Sequence, residues 1–292
     1  MENTNCYFLI LTFYFSLYPS DADHMNPGTK HPPVVLAFAG HDPSGGAGLQ
    51  ADIEAIASQG CHAATVVTAL TVQDTQSVSE YTTVESTLVI AQARSILEDM
   101  PVAVFKVGML GSIENAEAVH TILMDYPEIP VVFDPVLASG DGTDLGGEDL
   151  TEVLQALLLP VTTILTPNGP EARALAPGAD TLDACALALL DHGVDYVLVT
   201  GGHEHNPAVI NRMYSGQRLV ETFTWDRLPH SYHGSGCTLA ASIAGLLAQG
   251  LEPFTAIHEA QDYTWNALRR GYRPGLGQHL PHRFFWSGDD GD

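Results

Sequence analysis

A short glycine-rich segment with one cysteine is the part of the chain best suited to chemistry. In it Gly234, Ser235 and Gly236 precede Cys237, and a helix of small residues is predicted to follow. The glycines allow a sharp turn, so the N–H groups of residues 234–237 would point at one place, where a helix dipole adds roughly half a positive charge. Such a site suits a phosphoryl group in transfer. Cys237 would open the helix, where a lowered thiol pKa lets a thiolate act as a base; an inert buried cysteine at an ordinary helix start is the alternative.

A second glycine-rich loop, GHDPSGGAGLQAD, runs from Gly40 to Asp52. It lacks the GK[ST] of a phosphate-binding Walker loop and does not match a dinucleotide-binding fingerprint. Asp52 would lie about one turn into the following helix, where its carboxylate could bond a ligand amine. The alternative is a surface carboxylate that complements the helix dipole.

Oxygen-bearing side chains follow three further predicted strands. Asn168 and Glu171 fit an ordinary helix cap, with Asn168 as the N-cap, but their oxygens could also hold Mg²⁺ through water. Asp134, at the end of an apolar strand, has the same two interpretations. Thr200 and Gly202 end another strand and could approach a nucleotide phosphate or simply form a turn.

The elements that carry these residues alternate between strand and helix patterns. Apolar or β-branched runs predict strands at 34–40, 63–72, 102–110, 131–136, 163–168 and 196–202, and a hairpin at 208–214 and 217–225. Helical spacing predicts helices near 49–60, 85–99, 113–125, 181–192, 235–250 and 253–271. This order indicates a mostly parallel sheet covered by helices on both faces. Ligands of such sheets bind at the carboxyl ends of the strands, where all the residues above are expected.

Composition excludes several classes of protein. With 292 residues, 45% hydrophobic, the chain can form one large α/β domain. A formal net charge of -24 argues against a nucleic-acid partner. Lys30 and Lys106 are the only lysines, so a phosphate site must rely on backbone N–H groups, a metal ion and few cations. The four cysteines have neither disulfide-framework nor zinc spacing, which fits a reducing cytoplasm.

The first 33 residues differ from the rest. Residues 6–18 are apolar and aromatic, but they are too few to span a bilayer comfortably and no basic residue precedes them as in a secretory signal. Residues 19–33 resemble a linker, and Met25 could be the true start. We expect residues 1–33 to be a dispensable or flexible extension of a domain at 34–292, with a membrane anchor as the alternative.

Seven motifs together carry a family resemblance. They are GHDPSGGAGLQAD, TALTVQDT, KVGML, DPV, TPNGPEA, TGGH and HGSGCTLAASIA, in that order. From about Val34 onward the chain resembles the hydroxymethylpyrimidine/phosphomethylpyrimidine kinases of thiamine biosynthesis, a branch of the ribokinase-like superfamily. The resemblance implies a three-layer α/β/α fold, ATP and Mg²⁺ as cofactors, a homodimer in the cytoplasm, and phosphorylation of 4-amino-5-hydroxymethyl-2-methylpyrimidine, its monophosphate, or both.

The resemblance also implies roles on the substrate side. Cys237 would deprotonate the hydroxymethyl group, while the amides of residues 234–237 stabilise the γ-phosphoryl charge. Asp52 and Gln73 would bind the aminopyrimidine, whose donors and acceptors they complement. Gly40 and Met109 would line its pocket.

On the nucleotide side, the resemblance implies that Asn168 and Glu171 organise Mg²⁺ and that Thr200 and Gly202 lie near ATP. Two motifs depart from the family pattern: Thr200 stands where the family usually has lysine, and Tyr232 and Ser235 stand where it usually has threonine. A pyridoxal/pyridoxine kinase is the alternative enzyme. A ligand-sensing module on a decayed kinase fold is the alternative without catalysis.

Overall fold

One nine-stranded sheet organises the computed structural model, which describes residues 31–138, 147–204 and 206–287. The strands are β1 (Val34–His41), β2 (His62–Gln73), β3 (Val78–Thr83), β4 (Val102–Val107), β5 (Val131–Phe133), β6 (Ile164–Leu165), β7 (Tyr196–Val199), β8 (Ala208–Ser215) and β9 (Arg218–Asp226). They belong to a compact unit that begins at Pro32. Of the predicted extension, residues 1–30 lie outside the described residues.

The strand order is β3-β2-β1-β4-β5-β6-β7-β8-β9. Six neighbouring strands pair in parallel, namely β2, β1, β4, β5, β6 and β7. The strands β3, β8 and β9 join the sheet by antiparallel pairing. The chain runs from β1 outward to β2 and β3, then returns across β1 to β4. This reversal creates a crevice at the carboxyl ends of β1 and β4, the usual ligand position in such sheets.

Eight helices, counted in the described residues, cover the two faces of the sheet. They are α1 (Gly48–Ser58), α2 (Ser86–Leu97), α3 (Ile113–Asp125), α4 (Gly147–Val153), α5 (Gly169–Leu175), α6 (Leu182–Asp191), α7 (Ser235–Ala248) and α8 (Pro253–Arg269). A π turn (Leu154–Leu158) and a 3₁₀ turn (Leu159–Val161) continue α4. No helix in the described part of the chain is both long and apolar enough to cross a membrane.

Alternation along β1 shows how the layers form. Leu36 and Phe38 join one hydrophobic core with α2 to α6, and Val35 and Ala37 join the other with α1, α7 and α8. A strand buried on both faces is continuously apolar, which is why VVLAFAG carried so clear a strand signal. The predicted three-layer α/β/α fold with a mostly parallel sheet is confirmed.

Two elements were missing from the sequence prediction. β3 is polar and mostly exposed, because it is an edge strand that pairs with β2 alone. The helical stretch from 147 to 161 was also not predicted, although Leu150, Leu154 and Leu158 recur every four residues and are buried.

Candidate active site

A cavity of about 590 Å³ opens at the carboxyl ends of the parallel strands. Twelve of the thirteen predicted site residues line it: Gly40, Gln73, Met109, Asp134, Asn168, Glu171, Thr200, Gly202, Gly234, Ser235, Gly236 and Cys237. These residues come from seven separate loops or strand ends, and the sheet brings them together because its parallel strands end at one edge. Asp52 is the exception.

The glycine-rich segment forms the start of α7 as predicted. Gly234 is the N-cap and has a positive φ of 82°, a backbone conformation open to glycine at little cost. A Cβ at this position would lie 1.8 Å from the carbonyl oxygen of Gly46. The N–H groups in the first turn of a helix have no acceptor within the helix. Those of Ser235, Gly236 and Cys237 are thus placed to bind an anion in the cavity.

Cys237 is less acidic than the sequence indicated. Its surroundings raise the pKa of the thiol to about 12, chiefly because little water reaches the sulfur, and next because the carboxylate of Asp134 disfavours a thiolate. Lys106 and an N–H group from Gly48 act in the opposite direction. The expectation of a lowered pKa at this helix start is therefore wrong, because burial and the neighbouring carboxylate outweigh the helix dipole.

Asp52 is completely buried, so the surface interpretation of this residue is wrong. One of its carboxylate oxygens lies 2.9 Å from the ammonium nitrogen of Lys106, which is also fully buried and lines the cavity. Burial disfavours the lysine's charge, but Asp52 and the nearby Cys237 and Asp134 more than compensate and raise the pKa of Lys106. Lys106 is therefore a buried cation beside Cys237 and Asp134, and direct contact between Asp52 and a ligand stays a prediction.

A part-buried hydrogen-bond network joins the two glycine-rich loops, and no sequence pattern predicted it. The Asp42 carboxylate accepts hydrogen bonds from the N–H groups of Ser44 and Ala47, each at 2.8 Å, and lies 2.8 Å from Nε2 of His233. Burial alone would raise the pKa of Asp42, yet the bonds from His233, Ser44 and Ala47 hold that pKa below its ordinary value. The network fixes His233, which directly precedes the anion-binding turn.

Asn168 and Glu171 form a reciprocal helix cap. The Asn168 side chain accepts a bond of 2.9 Å from the Glu171 N–H, and the Glu171 carboxylate accepts one of 2.8 Å from the Asn168 N–H. This is the capping box that the cap interpretation required. Each side chain retains a further polar atom, so the cap does not preclude a second role.

Asp134 and Glu171 both have raised carboxyl pKa values, as expected where negative charge is not fully neutralised. Burial and the charge of Asp134 raise the pKa of Glu171 to about 8, and burial also raises the pKa of Asp134. The Oδ2 atom of Asp134 is buried without a hydrogen-bond partner among the described residues. Two carboxylates with an unpaired oxygen fit a divalent cation with oxygen ligands, such as Mg²⁺.

At the end of the cavity beside β7, an arginine holds the loop that follows this strand. Arg227 donates hydrogen bonds to the carbonyl oxygens of Gly201, Gly202, Glu204 and Asn206. Lys106 and Arg227 are the only lysine or arginine among the described residues that line the cavity. Because Arg227 is engaged with the backbone, and Thr200 replaces the lysine usual in the family, N–H groups must provide much of any phosphate binding.

At the opposite end, the cavity has a mixed polar and thioether wall. The Gln73 amide donates a 2.7 Å bond to the Thr71 hydroxyl, and its carbonyl oxygen makes no hydrogen bond that the structure records within its described ranges. A Cβ on Gly40 would lie 3.2 Å from the Met109 sulfur, so glycine lets Met109 approach. A small, flat ring with polar edges fits this end.

Comparison with known proteins agrees with this geometry. The family model of phosphomethylpyrimidine kinase matches residues 42–282. A hydroxymethylpyrimidine/phosphomethylpyrimidine kinase from Synechococcus elongatus is 37% identical over 253 residues, covering 84% of this chain and 95% of the relative. The thiamine biosynthetic bifunctional enzyme TH1 of Arabidopsis thaliana, described as chloroplastic, is 35% identical over 81% of this chain, which spans only 46% of that longer protein.

Solved structures give the same fold. Pyridoxal kinase from Staphylococcus aureus in complex with pyridoxal superposes with a TM-score of 0.80 at 26% identity, covering 88% of this chain and 95% of the other. Phosphomethylpyrimidine kinase from Clostridium difficile 630 superposes with a TM-score of 0.69 at 29% identity, covering 80% and 97%. Given the family match across most of its length, the chain belongs to the phosphomethylpyrimidine kinase family.

Proposed function

We propose that this kinase transfers the γ-phosphoryl group of ATP to 4-amino-5-hydroxymethyl-2-methylpyrimidine and to its monophosphate, in thiamine biosynthesis. The observation that carries the proposal is the position of Cys237 in the first turn of α7, where free N–H groups and a potential proton acceptor face the same cavity. Relatives named for this activity align with 84% and 86% of this chain and with 95% and 94% of their own lengths. Nucleotide use is supported by S. aureus pyridoxal kinase complexes with ADP and with AMP-PCP.

In this mechanism the pyrimidine binds at the end with Gln73 and Met109, so that its hydroxymethyl group faces Cys237. The hydroxyl oxygen attacks the γ-phosphorus, the bond to the β-phosphate oxygen breaks, and ADP leaves. Cys237, having first lost its own thiol proton to solvent, accepts the hydroxyl proton as a thiolate. The N–H groups of the α7 turn bind the phosphoryl oxygens as charge shifts among them, and phosphoryl transfer depends mainly on such positioning and charge stabilisation.

Asp134, Glu171 and Asn168 would hold Mg²⁺, which when bound would neutralise phosphate charge and offset the carboxylate charge that disfavours the Cys237 thiolate. Lys106 supplies a second, permanent positive charge beside the same sulfur. Thr200 and Gly202 would lie along the nucleotide phosphates. Because transfer passes through a loose transition state, the hydroxyl need lose its proton only late, and this eases the demand on a thiol with a raised pKa.

A pyridoxal kinase activity is the second candidate. It is favoured by the higher TM-score to the S. aureus pyridoxal kinase than to the C. difficile phosphomethylpyrimidine kinase, 0.80 against 0.69. Both substrates are aromatic rings that carry a hydroxymethyl group, so the same base and anion site would serve. Sequence identity favours the pyrimidine, since the pyrimidine kinase relatives reach 37% identity and the pyridoxal kinase structures 27%.

The deciding experiment is a substrate panel. The purified protein is given ATP and Mg²⁺ with the hydroxymethylpyrimidine, its monophosphate, pyridoxal or pyridoxine, and the products are identified by mass. We expect a mono- and a diphosphorylated pyrimidine, with kcat/KM at least about tenfold above that for pyridoxal. Preferential phosphorylation of pyridoxal would establish the second candidate, and ligand binding without turnover would indicate a sensor.

We also propose an oligomeric state and a cellular location for this protein. We expect a homodimer in the cytoplasm, as the family resemblance implies. Leu70 and Val72, near the β3 edge of the sheet, are 49% and 58% exposed and would be suitable contact residues. Light scattering at micromolar concentration measures the assembly state directly.

A further inference from the structure

Arg283, after the last helix, is a buried charged residue that no part of the mechanism above uses. Its side chain is 1% exposed, and its guanidinium makes four hydrogen bonds. Nε donates to Oγ1 of Thr238 at 2.9 Å, Nη1 to the Gly45 carbonyl at 3.3 Å and the Glu54 carboxylate at 3.0 Å, and Nη2 to the Gly46 carbonyl. A buried ion pair often adds little net stability to a fold. Stability alone therefore does not explain why Arg283 contacts these partners.

Apart from Glu54 in α1, the partners of Arg283 belong to the two glycine-rich segments that form the site. Gly45 and Gly46 lie in the loop before α1, and Thr238 lies in the first turn of α7. The Thr238 hydroxyl accepts from Arg283 and donates to the Gly234 carbonyl at 2.7 Å. A relay therefore runs from the guanidinium through one hydroxyl to the carbonyl of the α7 N-cap.

The relay reinforces the direction of an anion-binding amide, because the Gly234 carbonyl accepts both the Thr238 hydroxyl bond at 2.7 Å and the first backbone bond of α7, from the Thr238 N–H at 3.0 Å. A trans peptide is planar, so its C=O and N–H point in opposite directions. The Gly234 carbonyl shares a peptide with the Ser235 N–H, and holding that carbonyl toward Thr238 aims the N–H away from it, at the start of the helix. In the other loop, the Gly46 carbonyl shares a peptide with the Ala47 N–H, which donates to Asp42.

We propose that Arg283 is a positioning residue for phosphoryl transfer: through Thr238 and the Gly45 and Gly46 carbonyls it aligns the Ser235 amide with the loop that carries the other half of the site. The inference rests on the proposed kinase function. Arg283 itself does not line the cavity, so its effect is on kcat and not on the binding of the pyrimidine.

The test compares four variants with the wild type. Arg283→Met removes the guanidinium, and Thr238→Val removes the relay hydroxyl. Tyr263→Phe is the matched control, because the Tyr263 hydroxyl donates to the backbone carbonyl of Arg283 at 2.9 Å and so anchors the same segment without touching the guanidinium. The double variant Arg283→Met/Thr238→Val asks whether the two residues act in one relay.

Three measurements are made on each folded protein: steady-state kinetics, hydrogen exchange and Tm. For Arg283→Met we expect kcat to fall at least about tenfold with the pyrimidine KM within about twofold. Thr238→Val should reduce kcat in the same direction, and the double variant should lose no more than Arg283→Met alone. Hydrogen exchange of the peptide spanning 233–238 should become faster in Arg283→Met and in Thr238→Val. Tyr263→Phe should lower Tm but leave kcat and this exchange unchanged.

Wild-type kcat and exchange in Thr238→Val would overturn the proposal even if Arg283→Met did not fold. Losses that simply add in the double variant would overturn the relay. If Tyr263→Phe lost as much kcat as Arg283→Met, Arg283 would only hold the C-terminal segment in place. An inactive wild type would instead contradict the proposed function, and the exchange measurement, which needs no turnover, would still decide the role of Arg283.

Discussion

The ammonium nitrogen of Lys106 and a carboxylate oxygen of Asp52 are 2.9 Å apart, and both side chains are wholly buried beside the cavity. Each charge therefore depends on the other, because neither has access to water. In a chain of -24 net charge with two lysines, this pair places one of the two directly beside the proposed base.

Removal of one member of the pair should destabilise the fold more than removal of both. We expect Lys106→Met or Asp52→Asn to lower the free energy of unfolding by about 3–5 kcal/mol, since each leaves a buried charge unpaired. The double variant should lose less than either single variant. Urea unfolding measures all three.

The exposed pair Arg94–Asp125, at 2.6 Å with both side chains more than 40% exposed, is the matched control. Its removal should cost about 1 kcal/mol or less, because exposed ion pairs are largely screened by solvent. Additive losses in the Lys106/Asp52 double variant would show that the two charges do not compensate each other.

Cys237 should matter for one phosphorylation more than for the other. We expect Cys237→Ala to reduce kcat on the hydroxymethylpyrimidine about 100-fold or more, because the hydroxyl loses its proton acceptor. The monophosphate presents an already ionised oxygen, with a second pKa of about 6, so its phosphorylation should fall much less. Separate kinetic assays on the two substrates give the comparison.

Cys237→Asp should retain part of the first activity, since a carboxylate can accept the same proton. Cys61, a buried cysteine outside the cavity, provides the control variant Cys61→Ala. Equal losses on both substrates in Cys237→Ala would assign the cysteine a role in shaping the turn and not in proton transfer.

Gln73 should act on the pyrimidine alone. We expect Gln73→Ala to weaken pyrimidine binding by about 1–3 kcal/mol, because a ligand donor or acceptor is left unpaired, and to leave ATP affinity unchanged. Calorimetry on each ligand checks this, with Gln76→Ala in the neighbouring exposed turn as control. A similar loss of affinity for both ligands would indicate a folding defect and remove Gln73 from the pocket.

Glu171 should make the metal-free protein less stable as pH rises. Its pKa moves from 4.5 to about 8 in the fold, so the folded state holds a proton that the unfolded state releases. The stability that this proton gives is complete below 4.5 and is lost as pH rises toward about 8. Glu171→Gln, which keeps the helix cap, should flatten the dependence of Tm on pH across this range.

Bound Mg²⁺ should restore the stability that the metal-free protein loses as pH rises. At the upper end of the range, added Mg²⁺ should raise the Tm of the wild type and have less influence on Glu171→Gln, because the variant lacks the carboxylate charge. Identical pH profiles for the two proteins, with or without Mg²⁺, would contradict both the raised pKa and the proposed metal site.

A chain shortened to begin at Met25 should keep full kinase activity. The first core strand starts at Val34, and the family match starts at residue 42. Tm and specific activity beside those of the full chain are the measurements. A shortened protein that is inactive, or several degrees less stable, would show that residues before Met25 contribute to the domain. Association of the full chain with membranes would support the anchor interpretation.

Much of the site could be predicted because its residues directly follow strands. Asp134, Asn168 and Thr200 stand where β5, β6 and β7 end, and a parallel sheet gathers such positions at one edge. The contacts that hold them could not be predicted in the same way. Arg283 meets Gly45 across 238 positions of the chain and His233 meets Asp42 across 191, and neither spacing has a local pattern.

The prediction of a lowered pKa for Cys237 was wrong for a related reason. The helix start is visible in the sequence, but the opposing carboxylate of Asp134 comes from a strand about a hundred positions earlier. The surface alternative for Asp52 was wrong for the same reason, since its buried partner Lys106 lies on another strand. Local sequence identifies which groups are present; their electrostatic behaviour depends on neighbours that only the fold supplies.

The contact between Gly234 and Gly46 constrains how this protein can change over generations. A methyl group on Gly234 would collide with the Gly46 carbonyl at 1.8 Å, and one on Gly46 would meet the His233 ring at 2.3 Å. Neither Gly234 nor Gly46 can therefore become alanine unless the facing loop moves. Although almost 190 residues separate them in the chain, we expect a substitution at either glycine to require a compensating change in the opposite loop.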